Sequence, residues 1–452
     1  MKRSLTAKET VTITSMLFGM FFGAGNLIFP AKMGVDAGSN LLSGFLGVFI
    51  TAVGIPMLAV VALGLSRCEG VVPLANKVGK KYSIFFCSLL YLTIGPLFAI
   101  PRCASTSFSV GAVGLLGNGH PGLYLAIFSF LFFSIVLLFS LKPGGIMTWI
   151  GKILNPVFLV FLFALVIAAL LPPIDRVSAV APAQAYATGG SAFFSGFLEG
   201  YNTLDALAGL AFGIVVINVV RSTGVKQPED VAKNTAKAGI FSCLLMAAIY
   251  VLVTIVGVQS RGLFETSANG GIALTQIAQH YLGKAGLIIL AVTVTLACLK
   301  TSVGLITSCA ETFVGLFPKG PGYRLWAVIF SLVSLFFTNF GLNSIIGYSV
   351  PVLMFLYPLA ITLIVLSLFG KFFAYDRAVF VWTTALTLVG ALYDFAAALP
   401  APLLAACRLD GVLAMLRETL PLAKLGLFWV LPALLGLVIG LILHFVRGKA
   451  ND

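Results

Sequence analysis

Apolar residues run along this chain in blocks of roughly span length, parted by short polar connectors. The blocks lie near 10–33, 41–65, 82–108, 121–140, 147–171, 191–219, 238–258, 285–316, 323–340, 344–369, 378–398 and 425–446. A helix needs about 20 residues to cross a bilayer, so the pattern predicts an all-α membrane protein of about twelve transmembrane helices. No connector exceeds about 25 residues, which leaves room for only one polytopic domain over 1–452. In the segment Ser267–Gly283, Ile272, Leu274, Ile277 and Ala278 recur at helical spacing and predict an outer amphipathic helix packed on the bundle.

Two of the blocks are interrupted. The first reads Phe21-Phe22-Gly23-Ala24-Gly25-Asn26-Leu27-Ile28-Phe29-Pro30, the second Gly196-Phe197-Leu198-Glu199-Gly200-Tyr201-Asn202-Thr203-Leu204-Asp205-Ala206-Leu207-Ala208-Gly209. Lipid offers no partner to freed backbone groups, so such breaks survive only where they face protein or a cavity. A matched pair of them, one in each half, points to a substrate and ion site near the bilayer midplane. Helices 1–5 (9–171) and 6–10 (191–369) are expected to form inverted repeats, each opening with a broken helix, with helices 11–12 (378–446) as additions. The chain reads as a secondary transporter. Paired breaks favour alternating access over a channel.

Composition strengthens the membrane reading: 60% of residues are apolar, 10% are charged, and the mean hydropathy is +1.07. Soluble domains carry about 25% charged residues. Met1-Lys2-Arg3 leads into a helix of span length with no small-residue cleavage site, so no cleavable signal is expected. With the N-terminus inside, nineteen Lys and Arg fall in inner segments and six in outer ones, which predicts cytoplasmic termini. That bias accounts for the net charge of +13 without nucleic acid. The seven cysteines are scattered, and Cys87, Cys243, Cys298 and Cys309 lie within spans, where free Cys packs as a small apolar residue. Neither disulfides nor a transition metal is expected. His120 and His280 fall in outer loops and His444 at the last helix end, and none forms a hydrolase motif. A membrane hydrolase is disfavoured and no enzyme is expected.

The chemistry then rests on polar groups that lipid should exclude. Arg102, Glu199, Asp205, Lys300, Glu311 and Asp394 all fall within predicted spans, where ionisable residues by default mark pathways or pairs. Asp394 and Glu311, nearer span ends, are expected to snorkel; Asp205 is too short to do so. Arg102 and Glu199 fall at similar depth in the outer half, which predicts a gating ion pair. Unwound backbone from Phe22 and Gly23 to Asn26, at the start of a half-helix, is a candidate carboxylate cradle. Tyr201, Thr203, Leu204 and Asp205 are candidates by their place in the second break. In Cys298-Leu299-Lys300-Thr301-Ser302, the hydroxyls either bond back to their own helix or supply oxygens to a cation with the unwound carbonyls. Helical spacing groups Cys298, Thr301, Ser302 and Leu305 on one face, and Lys300, Gly304, Thr307 and Glu311 on another.

The first break, the run Gly95-Pro96-Leu97-Phe98-Ala99-Ile100-Pro101-Arg102 and the run Gly200-Tyr201-Asn202-Thr203-Leu204-Asp205 resemble the bacterial branched-chain amino-acid:cation symporters over essentially the whole chain. The resemblance implies a five-plus-five inverted repeat of the LeuT type. It further implies uptake of leucine, isoleucine and valine across the bacterial cytoplasmic membrane, coupled to Na⁺ or, in some members, H⁺. No obligate protein partner is implied beyond substrate and lipid. A more distant match to LeuT-type symporters implies that the Ala24 and Gly25 amides hold the substrate carboxylate. One Na⁺ would lie among the carbonyls of Gly19, Phe22 and Cys298 and the hydroxyls of Thr301 and Ser302. A second would touch the Asn26 side chain and the Phe21 carbonyl. Lys300 departs from the uncharged residue implied there; its ammonium could replace Na⁺, carry a proton, or pair with an acid such as Glu311. A LeuT-type symporter for another small solute shares the same breaks.

Overall fold

The computed structural model describes residues 4–66, 68, 70–112, 120–142, 152–170, 177–406, 408 and 410–449. The start of the predicted fifth span (147–151) and its last residue, with the loop charges Lys2, Arg3, Arg67 and Arg176, lie outside them. Every regular element among the described residues is a helix.

The first helix begins at a reciprocal cap. Glu9 N–H donates to the Thr6 hydroxyl at 3.3 Å and Thr6 N–H to the Glu9 carboxylate at 2.8 Å. Ala7–Phe21 then stops at Phe22 and Gly23, whose φ/ψ of −77°/93° and −119°/−155° are extended, and Ala24–Ala37 resumes. The second break is longer. Gly189–Glu199 passes through a tight turn, Gly200–Thr203, to Leu204 at φ 66° and ψ 8°, and Asp205–Ala211 follows. A further bend of 43° separates it from Gly213–Ser222.

Seven described helical stretches are long and apolar enough to cross a membrane, or eight if that bent pair is one span. Lys152–Ala168, Tyr323–Thr338 and Val430–Val446 are apolar but shorter. The chain is a multi-pass membrane protein. Pro121–Ser140 shows the lipid-facing character most plainly, leaving Leu123, Phe130, Leu131 and Leu138 more than half exposed.

The expected amphipathic segment forms a helix from Gly270, where the Asn269 side chain accepts from Ile272 N–H at 3.1 Å, and it turns at Gly283 into the next span. Leu274, Ile277 and Ala278 are buried, but Ile272 is 42% exposed and leaves the expected face. In that first turn Gly270 and Gly271 make the contact with the bundle, against Ile28 and Val110, and the Ile272 side chain is left outside it.

Helices associate in lipid by close packing rather than by hydrophobic drive, which favours small residues at contacts. Ala24–Ala37 lies along Pro228–Ser260 in this way. A Cβ on Gly34 would strike the Thr254 carbonyl, and one on Gly257 the Ala31 carbonyl. The first broken helix is thereby set against Pro228–Ser260 and Gly270–Leu316, and the second lies chiefly on Leu41–Phe49 and Ile55–Leu65, while Arg377–Ala397 and Val430–Lys449 pack on each other and reach the bundle through Leu342–Phe369.

Candidate functional site

The two breaks meet. Asn26, in the first turn after the first break, accepts Gly23 N–H on its Oδ1 at 2.8 Å and so caps its own half-helix. Its Nδ2 donates to both oxygens of Asp205, at 2.9 and 2.8 Å, and lies against the Tyr250 hydroxyl. Tyr250 in turn donates to Asp205 Oδ2 at 2.5 Å. All three are buried. Asp205 begins the second half-helix of its pair immediately after Leu204, a left-handed leucine. That conformation costs a non-glycine residue about 1–3 kcal/mol and persists where surrounding structure enforces it.

Arg102 reaches the same place from the third helical stretch, which is bent at Gly95 (φ −94°, ψ −123°). Its Nη2 stands 2.8 Å from where a Cβ on Gly25 would lie, and the Thr203 backbone stands 3.3 Å from the same point. The guanidinium sits 5.0 Å over Phe29, it is 3% exposed, and Nε and Nη1 have no hydrogen-bond partner among the described residues. Arg102, Gly25 and Asp205 line one cavity of about 30 Å³, walled on its apolar sides by Ile94, Phe212 and Leu305. A single water needs about 10–15 Å³, so this closed arrangement has room for water and none for an amino acid.

The helix Gly270–Leu316 supplies the next wall. Thr301 donates to the Gly19 carbonyl across helices at 3.4 Å, and a Cβ on Gly23 would lie 3.0 Å from the Thr301 side chain. Ser302 is fully buried and its hydroxyl has no partner among the described residues. Gly19 and Thr301 therefore bring oxygens together beside the first break, and Ser302 follows Thr301 on the same helix. Cys298 and Phe21 are buried on the same two helices.

Lys300 turns elsewhere. It donates to Asn155 Oδ1 at 3.0 Å, and its Nζ lies 3.7, 5.3 and 5.7 Å from the ring centres of Phe158, Phe18 and Phe22. Asn155 passes the contact on, donating to Ser15 at 2.9 Å. No carboxylate pairs with Lys300 among the described residues, and the expected route toward Glu311 does not form. Spacing along one helix fixes a face, not what a neighbouring helix places against it.

Other expectations also shift. Arg102 and Glu199 form no ion pair: Glu199 accepts from Asn202 at 3.2 Å, while Arg102 points at Gly25 and Thr203. The bend at Gly95 re-aims the arginine toward the breaks. Asp394 does not snorkel; it is 3% exposed and accepts Trp429 N–H at 3.2 Å from the connection that leads into the last helix. Phe22 faces the Lys300 rings rather than the cavity, and Tyr201 stacks on Tyr357 with centroids 4.0 Å apart at 16°. Tyr250, Phe158 and Tyr357 carry no mark in the sequence that sets them apart from packing residues; Asn155, a lone amide inside an apolar block, does.

Residues 6–447 match the family described as branched-chain amino acid transport protein. The chain is 51% identical over 435 residues to a branched-chain amino acid permease, BrnQ, of Lactobacillus delbrueckii subsp. lactis, covering 96% of each chain. It is 39% identical to the branched-chain amino acid permease BraB of Bacillus subtilis, covering 100% of this chain and 99% of that one. The fold is similar to that of Mhp1, a nucleobase-cation-symport-1 family transporter solved in a closed conformation with bromovinylhydantoin bound. The TM-score is 0.60 at 16% identity, over 97% of this chain and 92% of that one.

Proposed function

The chain belongs to the branched-chain amino acid transport protein family, and on that premise we propose that it is a symporter importing leucine, isoleucine and valine by alternating access. It is a transporter and not an enzyme. In this reading twelve spans, with both termini inside, cross the bacterial cytoplasmic membrane. Helices 1–5 and 6–10 are inverted repeats of the LeuT type.

The observation that carries the substrate reading is the pairing of opposite charges across one apolar-walled cavity at the two breaks. Arg102, with the amides of Ala24 and Gly25, meets the substrate carboxylate. Asp205, released from part of its Asn26 and Tyr250 bonding, meets the ammonium. Ile94, Phe212 and Leu305 suit an aliphatic side chain. Partial unwinding at Leu204 gives the inner half-helix freedom to yield as the cavity enlarges.

Coupling is assigned to the oxygen seam of Gly19, Thr301 and Ser302, with the Phe22 and Cys298 carbonyls completing it. Hard monovalent cations take several oxygens, which favours Na⁺ there over a proton. The unmet Ser302 hydroxyl supports a ligand role. Lys300, turned into its rings, does not occupy that seam.

Labelled leucine uptake into proteoliposomes under a Na⁺ gradient, and separately under a proton gradient, tests the reading. Uptake driven by Na⁺ and competed by isoleucine and valine is expected. Uptake driven only by the proton gradient would overturn the coupling assignment. Stronger competition by a different amino acid or solute would favour the other LeuT-type substrate class.

A further inference from the structure

A second cavity, of about 620 Å³, lies under the hairpin that joins the last two helices. Its floor is Leu198, one residue before Glu199 ends the outer half-helix, and Gly426 of the hairpin packs against it; a Cβ there would lie 3.1 Å from Leu198 Cδ1. Met354 and Leu413 add apolar walls. On the orientation proposed above, this cavity opens to the outside.

Its polar groups are few and of opposite sign. Asp394 is 3% exposed, yet only Oδ2 is used, by Trp429 N–H at 3.2 Å; Oδ1 has no partner among the described residues. A buried carboxylate oxygen without a donor is costly unless something supplies one. No cation pairs with Asp394 among the described residues. Arg417, which is exposed, lines the same cavity from the hairpin, beside the salt-bridged Lys424 and Glu418. The volume falls within the range of about 300–1,000 Å³ typical of small-molecule sites, and the recipe of apolar walls with a few converging polar groups is theirs too.

We propose that this cavity is a second amino-acid-binding site, outward of the central one, that takes a zwitterion with an aliphatic side chain. Asp394 Oδ1 receives the ammonium, Arg417 the carboxylate, and Leu198 and Met354 the side chain. The ligand class rests on the substrate reading above, and the same acid–base–aliphatic arrangement recurs in the two cavities with unrelated residues. Tyr201, stacked on Tyr357, belongs to the turn that follows Leu198 and Glu199. Occupancy of the outer site therefore presses on the element that opens the central one.

Equilibrium dialysis of the full chain in lipid nanodiscs against labelled leucine tests this. Two leucines per wild-type chain are expected. Asp394→Asn should weaken the outer site by about tenfold or more, as loss of a charge-assisted hydrogen bond does, and should leave the central site in place. Arg417→Ala changes an exposed side chain without disturbing packing, so it gives the same test should Asp394→Asn fail to fold. Asp205→Leu should bind one leucine, sensitive to Arg417→Ala. One leucine per wild-type chain, lost in Asp205→Leu and unchanged in Arg417→Ala, would overturn the outer site and leave transport standing. No leucine bound to the wild type would overturn the transport reading itself.

Discussion

Asp205 and Lys300 are both fully enclosed within the bundle, and they are housed in opposite ways. Asp205 has the Asn26 amide on both oxygens and the Tyr250 hydroxyl on one, beside a left-handed leucine and a cavity. Lys300 has one amide oxygen and three aromatic faces, with regular helix on either side. A ring stabilises a desolvated cation by about 2 kcal/mol or more, without demanding any particular hydrogen-bond direction. Hydrogen-bond donors around a carboxylate can be exchanged for those of a ligand; a cage of packed rings cannot be exchanged without moving helices. The carboxylate is placed to change partners, and the ammonium is placed to keep them.

The strongest way to break that contrast is Asp205→Leu. If Asp205 receives the substrate ammonium, uptake should fall by about a hundredfold or more, equivalent to about 3 kcal/mol. The protein should still insert and run as a single species by size-exclusion chromatography. Retained uptake would reduce Asp205 to a packing charge and erase its difference from Lys300.

Much of this contrast could be anticipated from the residues, and much could not. Glycine pairs with Asn26 and Asp205 inside apolar blocks have no reason to exist in lipid-facing helices, so the breaks announced themselves. The Thr301–Ser302 pair did the same. Tyr250, between Ile249 and Val251, carries no such mark, because an aromatic in an apolar span is what any packed helix contains. Arg102 was visible as a buried charge, but its aim depends on the bend at Gly95, where a Cβ would lie 2.7 Å from Cys309 Sγ. That approach between distant helices leaves no trace in local spacing. Spacing leaves three roles open for Lys300 for the same reason: its partners stand on two other helices.

A double-mutant cycle sharpens the Lys300 side. Asn155→Leu leaves the ammonium with rings alone, and losing a hydrogen bond to a charged group costs about 1.5–3 kcal/mol. Thermal stability should drop accordingly. Lys300→Met fills similar volume without the charge, and apolar replacement of a buried ion is often neutral or stabilising. The pair Lys300→Met with Asn155→Leu should therefore recover most of the loss, with the leucine KM within about threefold of wild type. A Lys300→Met chain that loses leucine uptake outright would place Lys300 among the groups that act in transport, on the same footing as Asp205.

The Thr301–Ser302 seam lies between the two environments and shows which one it belongs to. Replacing both with Ala removes two oxygens and little volume, so stability in detergent should change by less than about 1 kcal/mol, in line with measured hydrogen bonds between membrane helices. The Na⁺ concentration for half-maximal uptake should rise by about tenfold, or 1.4 kcal/mol. Lost stability with unchanged ion dependence would make the hydroxyls helix glue.

Tyr250→Phe is the mildest test and the most selective. It deletes the hydroxyl and keeps the ring, which packs 6.2 Å from Phe22, so the bundle should be unaffected. Asp205 keeps the Asn26 amide on both oxygens and loses one donor of two groups. If the tyrosine only satisfies the carboxylate while the cavity is closed, its removal frees Asp205 for the ligand, and the leucine KM should hold steady or fall by about threefold. If the hydroxyl stays on Asp205 as the ammonium arrives, the KM should rise by a similar factor, equivalent to about 0.7 kcal/mol. The sign separates exchange of partners from addition of one. A fall in KM is expected here, because Asp205 is buried with the Asn26 amide and the Tyr250 hydroxyl packed on it, so the ammonium reaches the carboxylate by displacing the tyrosine.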